Sequence, residues 1–260
     1  MTLLDAGRSG DRLSGIDVID MHGHLGRCGF AIPEMSAARM VAVMDRIGVS
    51  AVLCSHMQSM GRDTARGNDE VLEAMRAYPN RILGYASAWP SSESEVAQEI
   101  ERCLGAGFTG IKIHNSNGFP YTYPAYDRAY AIANERGLPV LFHCWGNDRE
   151  FGEIAEIAQR FPRISALLAH GGCQNIEGYL RMARDHANVY LDLSFSAAPH
   201  GLVARLAAGA GVAKLVWGSD THFLSQAQQI GKVLGANLPD EAKVRILSTN
   251  ARAILDRIAL

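Results

Sequence analysis

Ile16-Asp17-Val18-Ile19-Asp20-Met21-His22-Gly23-His24 is the stretch on which the fold turns. Residues 16–22 have the length and the apolar, β-branched content of a buried parallel strand, and the run ends on a histidine. Directly after it stands His22-Gly23-His24-Leu25-Gly26, with no G-x-G-x-x-G. An open doubly wound sheet of roughly five to seven strands would carry a glycine-rich phosphate loop at that point. The same kind of run recurs at 50–56, 81–87, 108–114, 138–143, 164–170, 189–194 and 213–219. Helical patterns lie between the runs, with apolar residues at three- and four-residue steps, as in Met40, Val43, Met44 and Ile47 or Val96, Ile100 and Leu104. Arg46-Ile47-Gly48, Tyr78-Pro79-Asn80, Gly105-Ala106-Gly107 and Arg136-Gly137-Leu138-Pro139 punctuate them. Eight strand-then-helix units predict an α/β protein, a (β/α)8 TIM barrel. Pro239 as a first helical residue, then 241–246 and 251–258, predicts helices that close the barrel.

Composition agrees. A chain of 260 residues with 48 % hydrophobic and 20 % charged residues has the means to build one large core, and no linker divides it, so residues 1–260 are expected to form one domain. Its 26 glycines suit many tight turns. A net charge of −2 gives no electrostatic reason to bind nucleic acid or acidic membranes. No apolar run reaches the ~18 residues of a spanning helix, and 1–15 have no signal-peptide core. The expectation is a soluble, cytoplasmic protein acting on a small molecule, with a homodimer as the base-rate assembly. Cys28, Cys54, Cys103, Cys144 and Cys173 are odd in number and form no C-x-x-C pair, which predicts reduced thiols.

The histidines carry the chemistry. Of nine, six stand at or just past a predicted strand end: His22, His24, His56, His114, His143 and His170. Asp220 follows the eighth strand in the same way. Strand C-termini of this fold converge on one mouth, where the active site sits. His22 and His24 are two apart, which on a strand turns both rings to one face. Such a pair can grip an ion, and His143 and Asp220 supply a third nitrogen and a carboxylate most economically. H-x-H alone is an unspecific signal; with histidines on strands five and six and an aspartate on strand eight it becomes a strong one. A bound ion would bring its water's pKa from ~15.7 toward ~7. Asp220 can take that water's proton and return it to a leaving group, and His170 can stabilise negative oxygen or act as base.

Ile19-Asp20-Met21-His22-Gly23-His24, Gly110-Ile111-Lys112-Ile113-His114, Leu141-Phe142-His143, Leu168-Ala169-His170-Gly171-Gly172, Gly218-Ser219-Asp220 and Asn250-Ala251-Arg252 resemble the amidohydrolase superfamily. With Tyr78-Pro79-Asn80-Arg81-Ile82-Leu83-Gly84 they resemble its "amidohydrolase 2" branch of small barrels, over about 16–257. The resemblance implies His22, His24, His143 and Asp220 as metal ligands, with Asp220 and His170 as catalytic residues. In relatives with two ions, His170 and a carboxylated Lys112 hold the second. Lys112 can instead stay a cation that binds a substrate carboxylate, or pair with Asp192 inside the barrel. His114, Arg27 and Trp145 are candidate substrate contacts, against the alternatives of a structural histidine, a solvated loop arginine and a packing indole. Asp20, spaced two from His22, is expected either to orient a ligand imidazole or to pair with a neighbouring strand. His56 belongs to the pocket or its rim, His222 to the surroundings of Asp220, and His186 and His200 to the surface. Cys144 should face the helices, opposite His143.

The expected ion is zinc, with manganese or iron as alternatives, and one or two ions. Loops 25–34, 57–68, 115–123 and 145–149 should carry specificity. Hydrolysis of an amide, lactone or ester of a small polar, carboxylate-bearing substrate is the leading expectation. Non-oxidative decarboxylation of an aromatic or enoic acid is its alternative, and a non-catalytic metal-binding barrel is the third.

Overall fold

Every apolar run singled out in the sequence forms a strand, and the strands pair in parallel in chain order from β1 to β8. The computed structural model describes residues 2–27, 31–32, 36–58, 61–195 and 197–259. The strands are β1 (Val18–Leu25), β2 (Val49–His56), β3 (Ile82–Ala86), β4 (Gly110–Ile113), β5 (Pro139–Phe142), β6 (Ser165–Leu168), β7 (Val189–Asp192) and β8 (Leu215–Val216). Helices α2 (Ala37–Ile47), α3 (Thr64–Ala77), α4 (Glu93–Gly105), α5 (Asp127–Arg136), α6 (Asp148–Arg160), α7 (Ile176–Asp185), α8 (Leu202–Ala210) and α9 (Gln226–Leu234) follow them in turn. An unforeseen α1 (Leu3–Ser9) precedes β1; Thr2 and Asp5 form its capping box. No helix of the described residues is long and apolar enough to cross a membrane.

Local signals set the element ends. The side chains of Ser36, Ser92, Asn147, Asn175 and Ser225 accept from backbone N–H groups of the first turns of α2, α4, α6, α7 and α9. Each helix then buries one stripe against the sheet. In α6 the stripe is Phe151, Ile154, Ile157 and Ala158, and each large side chain contributes roughly 1.5–3 kcal/mol by leaving water.

The barrel closes differently from the simple repeat. β8 is shorter than residues 213–219 predict, because the backbone beyond it pairs across to β1. Met21 N–H donates to Trp217 O (2.9 Å), Asp220 N–H to His22 O (2.8 Å) and His24 N–H to Thr221 O (2.6 Å). At the opposite end, Ala251 and Ile254 of α11 (Asn250–Leu255) pack with Ile19, Met21, Leu53, Tyr85, Leu141, Leu167 and Val216, residues of six of the eight strands. The C-terminal helices therefore plug the floor, as expected. Pro239 caps α10 (Asp240–Val244) rather than beginning it, with an extended ψ of 151°.

β1 breaks its own alternation. Its register against β2 shifts between Asp20 and Gly23, so Ile19 and Met21 face the barrel interior and His22 and His24 face it too. Asp20 is left on the outer side, opposite Val52. The expectation that Asp20 stands in phase with His22 is corrected by this bulge. Its carboxylate never touches an imidazole; it accepts from His22 N–H (3.1 Å), Ser219 N–H (2.9 Å), the Ser219 hydroxyl (2.5 Å) and Gln226 Nε2 (3.0 Å). Asp20 thus ties β1 to the strand-eight loop and α9, the neighbouring-strand role. Burial pushes its carboxyl up to about 6, against the pull of these donors.

Removing that carboxylate strands four buried donors. Asp20→Ala should lower stability by on the order of 3–5 kcal/mol in urea denaturation, and Asp20→Asn by clearly less; an unchanged unfolding midpoint in Asp20→Ala would contradict the clamp.

Candidate metal centre

Because β1 bulges, both histidines of H-x-H face the mouth. Gly23 between them turns outward, where a Cβ would meet Val52 Cγ2 at 2.7 Å and Cys54 Sγ at 3.0 Å, so the position needs glycine. His22 Nε2 lies 3.1 Å from His24 Nε2. Asp220 Oδ1 lies 3.1 Å from His24 Nε2 and 3.5 Å from His22 Nε2. Among the described residues this trio is the group of His, Cys, Asp or Glu donors that converges tightly enough to hold an ion. A cation bound at the usual ~2.0–2.2 Å sets neighbouring donors roughly 3–3.5 Å apart, so the spacing fits a divalent metal.

The other ring nitrogens are anchored. His22 Nδ1 meets Asp192 Oδ2 at 2.6 Å, and His24 Nδ1 meets the Ser55 hydroxyl at 3.1 Å. Burial, followed by the neighbouring Lys112 charge, holds His22 well below the ordinary imidazole range. Burial lowers His24 too, against the carboxylate of Asp220. Neutral imidazole is the form that ligates metal.

His143, expected as the third nitrogen ligand, stands outside the trio. Its ring stacks on His114 (centroids 3.8 Å, 16° between planes) and meets the Trp145 ring edgewise. Its loop explains the placement. Glu150 of α6 accepts from the backbone N–H groups of Trp145, Gly146 and Asn147 and, through its other oxygen, from Asn115 Nδ2. The Tyr121 hydroxyl donates to His143 O. These bonds pin the strand-five loop beside the strand-four loop. Cys144 is buried on the helix side, as predicted.

His170 bridges the two groups. Its Nε2 is 3.4 Å from His143 Nδ1, and its ring stacks on Trp145 at 4.8 Å. Burial brings its pKa down to about 4. Both His170 (φ 58°) and Asp220 (φ 57°) occupy the left-handed region, which costs a non-glycine residue on the order of 1–3 kcal/mol. His170 N–H donates to the Ser194 hydroxyl (3.2 Å) and Asp220 N–H to His22 O (2.8 Å), bonds that hold the two conformations.

Lys112 is buried with Nζ 3.3 Å from His22 Nε2. Of its three expected roles, the pair with Asp192 is not made: that carboxylate meets His22. Burial brings the Lys112 ammonium down to about 8, while Asp220 and Asp192 favour the charge. No second cluster of three His, Cys, Asp or Glu donors forms among the described residues, so a second ion would need a carboxylated Lys112.

Of the remaining candidates, His114 and Trp145 stand beside His143 and His170, and the others scatter. His114 Nδ1 accepts from the Ser116 N–H and faces its hydroxyl at 2.8 Å. Trp145, 44 % exposed, walls the mouth. Arg27 is exposed, His222 and His186 are half-buried, and His200 is exposed. His56 pairs with Glu70 of α3 (2.8 Å), away from the trio. Parts of loops 25–34 and 57–68, and Cys28, lie outside the described residues. Two features escaped the sequence: Phe223, whose ring meets His24 edgewise at 5.5 Å, and the Asp192–Ser194 pair. Polar residues at a strand's C-terminal end, the rule that found the histidines, also mark Asp192.

A family model described as Amidohydrolase matches residues 19–257. No curated protein matches the chain. Among solved structures, 5-carboxyvanillate decarboxylase from Sphingomonas paucimobilis is 18 % identical, with a TM-score of 0.72 over 94 % of this chain and 100 % of that one. A dihydroxybenzoic acid decarboxylase from Polaromonas sp. JS666, solved with manganese and 2-nitroresorcinol, is 15 % identical (TM-score 0.73, 93 % and 97 % covered). A probable 2-pyrone-4,6-dicarboxylic acid hydrolase from Acinetobacter baumannii, with citric acid bound, is 14 % identical (TM-score 0.71, 93 % and 100 % covered). Likeness at these identities establishes the shared barrel.

Chelator-competition titration with manganese or zinc should find about one tight ion per chain, and His24→Ala or Asp220→Ala should weaken it more than tenfold, on the scale of a lost ligand. His143→Ala should weaken it less than either; an equal loss would place His143 among the ligands.

Proposed function

The chain belongs to the amidohydrolase family, and from that premise we propose that it is a metal-dependent decarboxylase of a small aromatic or enoic carboxylic acid. The observation that carries this reading is the convergence of His22 Nε2, His24 Nε2 and Asp220 Oδ1 within 3.1–3.5 Å of one another at the barrel mouth. These three would hold the ion, which when bound supplies a positive centre for the substrate's oxygens. The decarboxylases among the similar structures support lyase chemistry over the hydrolysis that the sequence put first.

The chain's own residues have distinct parts. Lys112, a cation on the inner face beside His22, attracts a carboxylate into the mouth. The exposed Trp145 ring, stacked on His170, offers a flat wall to an unsaturated substrate. Loss of carbon dioxide leaves a carbon that needs a proton. Asp220, side chain 15 % exposed where His22 is closed off, is placed to deliver one and recover it from solvent. His170 is neutral near pH 7, with its pKa at about 4, and accepts a proton or hydrogen bond from a substrate hydroxyl at Nε2.

Hydrolysis is the second reading, favoured by the same solvent access: Asp220 would take a proton from water instead of giving one to carbon, as suits a lactone or ester. The ion is a divalent metal. The manganese in a structure of the same fold makes it the first to try, with zinc beside it.

Manganese- or zinc-loaded protein offered hydroxybenzoates, enoic diacids and pyrone lactones should release carbon dioxide from an acid. Chelation should stop the reaction and added metal restore it. Asp220→Asn should slow turnover by ~10²–10⁴-fold, the usual weight of a proton-transfer group. Ring opening of a lactone without carbon dioxide would establish hydrolysis instead, and full metal occupancy with neither product would leave a binding barrel.

A further inference from the structure

We propose that Asp192 is the positioning residue of this centre, fixing the imidazole of His22 directly and that of His170 through the Ser194 hydroxyl. The inference rests on the metal centre described above and extends it to a residue at the end of β7. Asp192 is fully buried. Its Oδ2 lies 2.6 Å from His22 Nδ1 and 2.7 Å from Ser194 Oγ. Ser194 Oγ in turn lies 3.1 Å from His170 Nδ1. A hydroxyl has one proton to give. Given to Asp192, it leaves the oxygen to accept from His170 Nδ1–H, as it already accepts the His170 backbone N–H. Both rings are then set in the Nδ1–H tautomer, with bare Nε2 atoms: that of His22 lies 3.1 Å from His24 Nε2 and that of His170 lies 3.4 Å from His143 Nδ1. One carboxylate oxygen thereby aligns a metal ligand and the proton-accepting histidine.

The barrel makes room for this arrangement. A Cβ on Gly218 would stand 2.0 Å from Asp192 Oδ1 and 2.7 Å from His22 Cβ. Glycine in the Gly218-Ser219-Asp220 motif is thus a condition for the carboxylate to sit beneath His22. Among the described residues Oδ1 has no hydrogen-bond partner, and both contacts run through Oδ2. His24, anchored by Ser55, is independent of Asp192 and serves as an internal reference.

The test pairs long-range ¹⁵N spectra of the histidines in chelator-treated protein with manganese dissociation constants from chelator competition. The wild type should show His22 and His170 as Nδ1–H tautomers. Asp192→Ala should release both and weaken manganese binding by on the order of 10–100-fold. Ser194→Ala should release His170 alone and leave the metal affinity near that of the wild type. Asp192→Asn, which keeps an accepting oxygen, should preserve the His22 tautomer. A wild-type His22 protonated on Nε2, or a His170 signal unchanged in Ser194→Ala, would overturn the proposal even if Asp192→Ala does not fold. A wild type that takes up no metal but shows the expected tautomers would overturn the metal reading and leave the positioning intact.

Discussion

The register shift in β1 is the constraint on which the site depends. A regular strand would alternate Ile19, Met21 and Gly23 with Asp20, His22 and His24, so that interior-facing Ile19 and Met21 would leave both imidazoles facing the helices. One irregularity between Asp20 and Gly23 lets the lower part of the strand pack the barrel with apolar side chains and the upper part present two histidines to its mouth. It also leaves the Asp20 carboxylate outside, where Ser219 fastens it to the strand-eight segment and Gln226 to α9. The same local event therefore aims the ligands and closes the barrel.

Closure and chemistry are joined again at Asp220. Its backbone N–H bonds to His22 O while its side chain approaches both ring nitrogens. The segment that completes the sheet is thus the segment that completes the donor set, and its left-handed backbone is held by that bond. Burial does the electrostatic work: His22, His24 and His170 are all pushed below the ordinary imidazole range chiefly by loss of water. Rings that would be partly protonated on a surface remain neutral donors of lone pairs.

Lys112 is the counterweight. A buried ammonium 3.3 Å from His22 Nε2 would, in the proposed reaction, draw in an acid whichever bond is then broken. Decarboxylation and hydrolysis share this requirement, and they differ in whether Asp220 hands its proton to carbon or takes one from water. The fold accommodates both, because barrels of this kind carry catalytic groups on strand ends while the loops above shape the substrate.

The sequence by itself determined the barrel, the eight strands and the mouth to which His22, His24, His170 and Asp220 come, because strand length, helix period and strand-end position are local properties. It also placed Cys144 on the helix side by simple alternation. It misplaced Asp20, because a bulge leaves no mark in the spacing of two residues. It expected His143 beside His22 and His24, and here Glu150 and Tyr121, from separate elements, pin that histidine's loop against His114, outside the trio. It offered an Asp192 pair as one of three roles for Lys112, and His22 holds that carboxylate instead. Only the tertiary structure decided these three points, since each depends on a strand irregularity or on polar groups, distant in the chain, that meet inside the barrel.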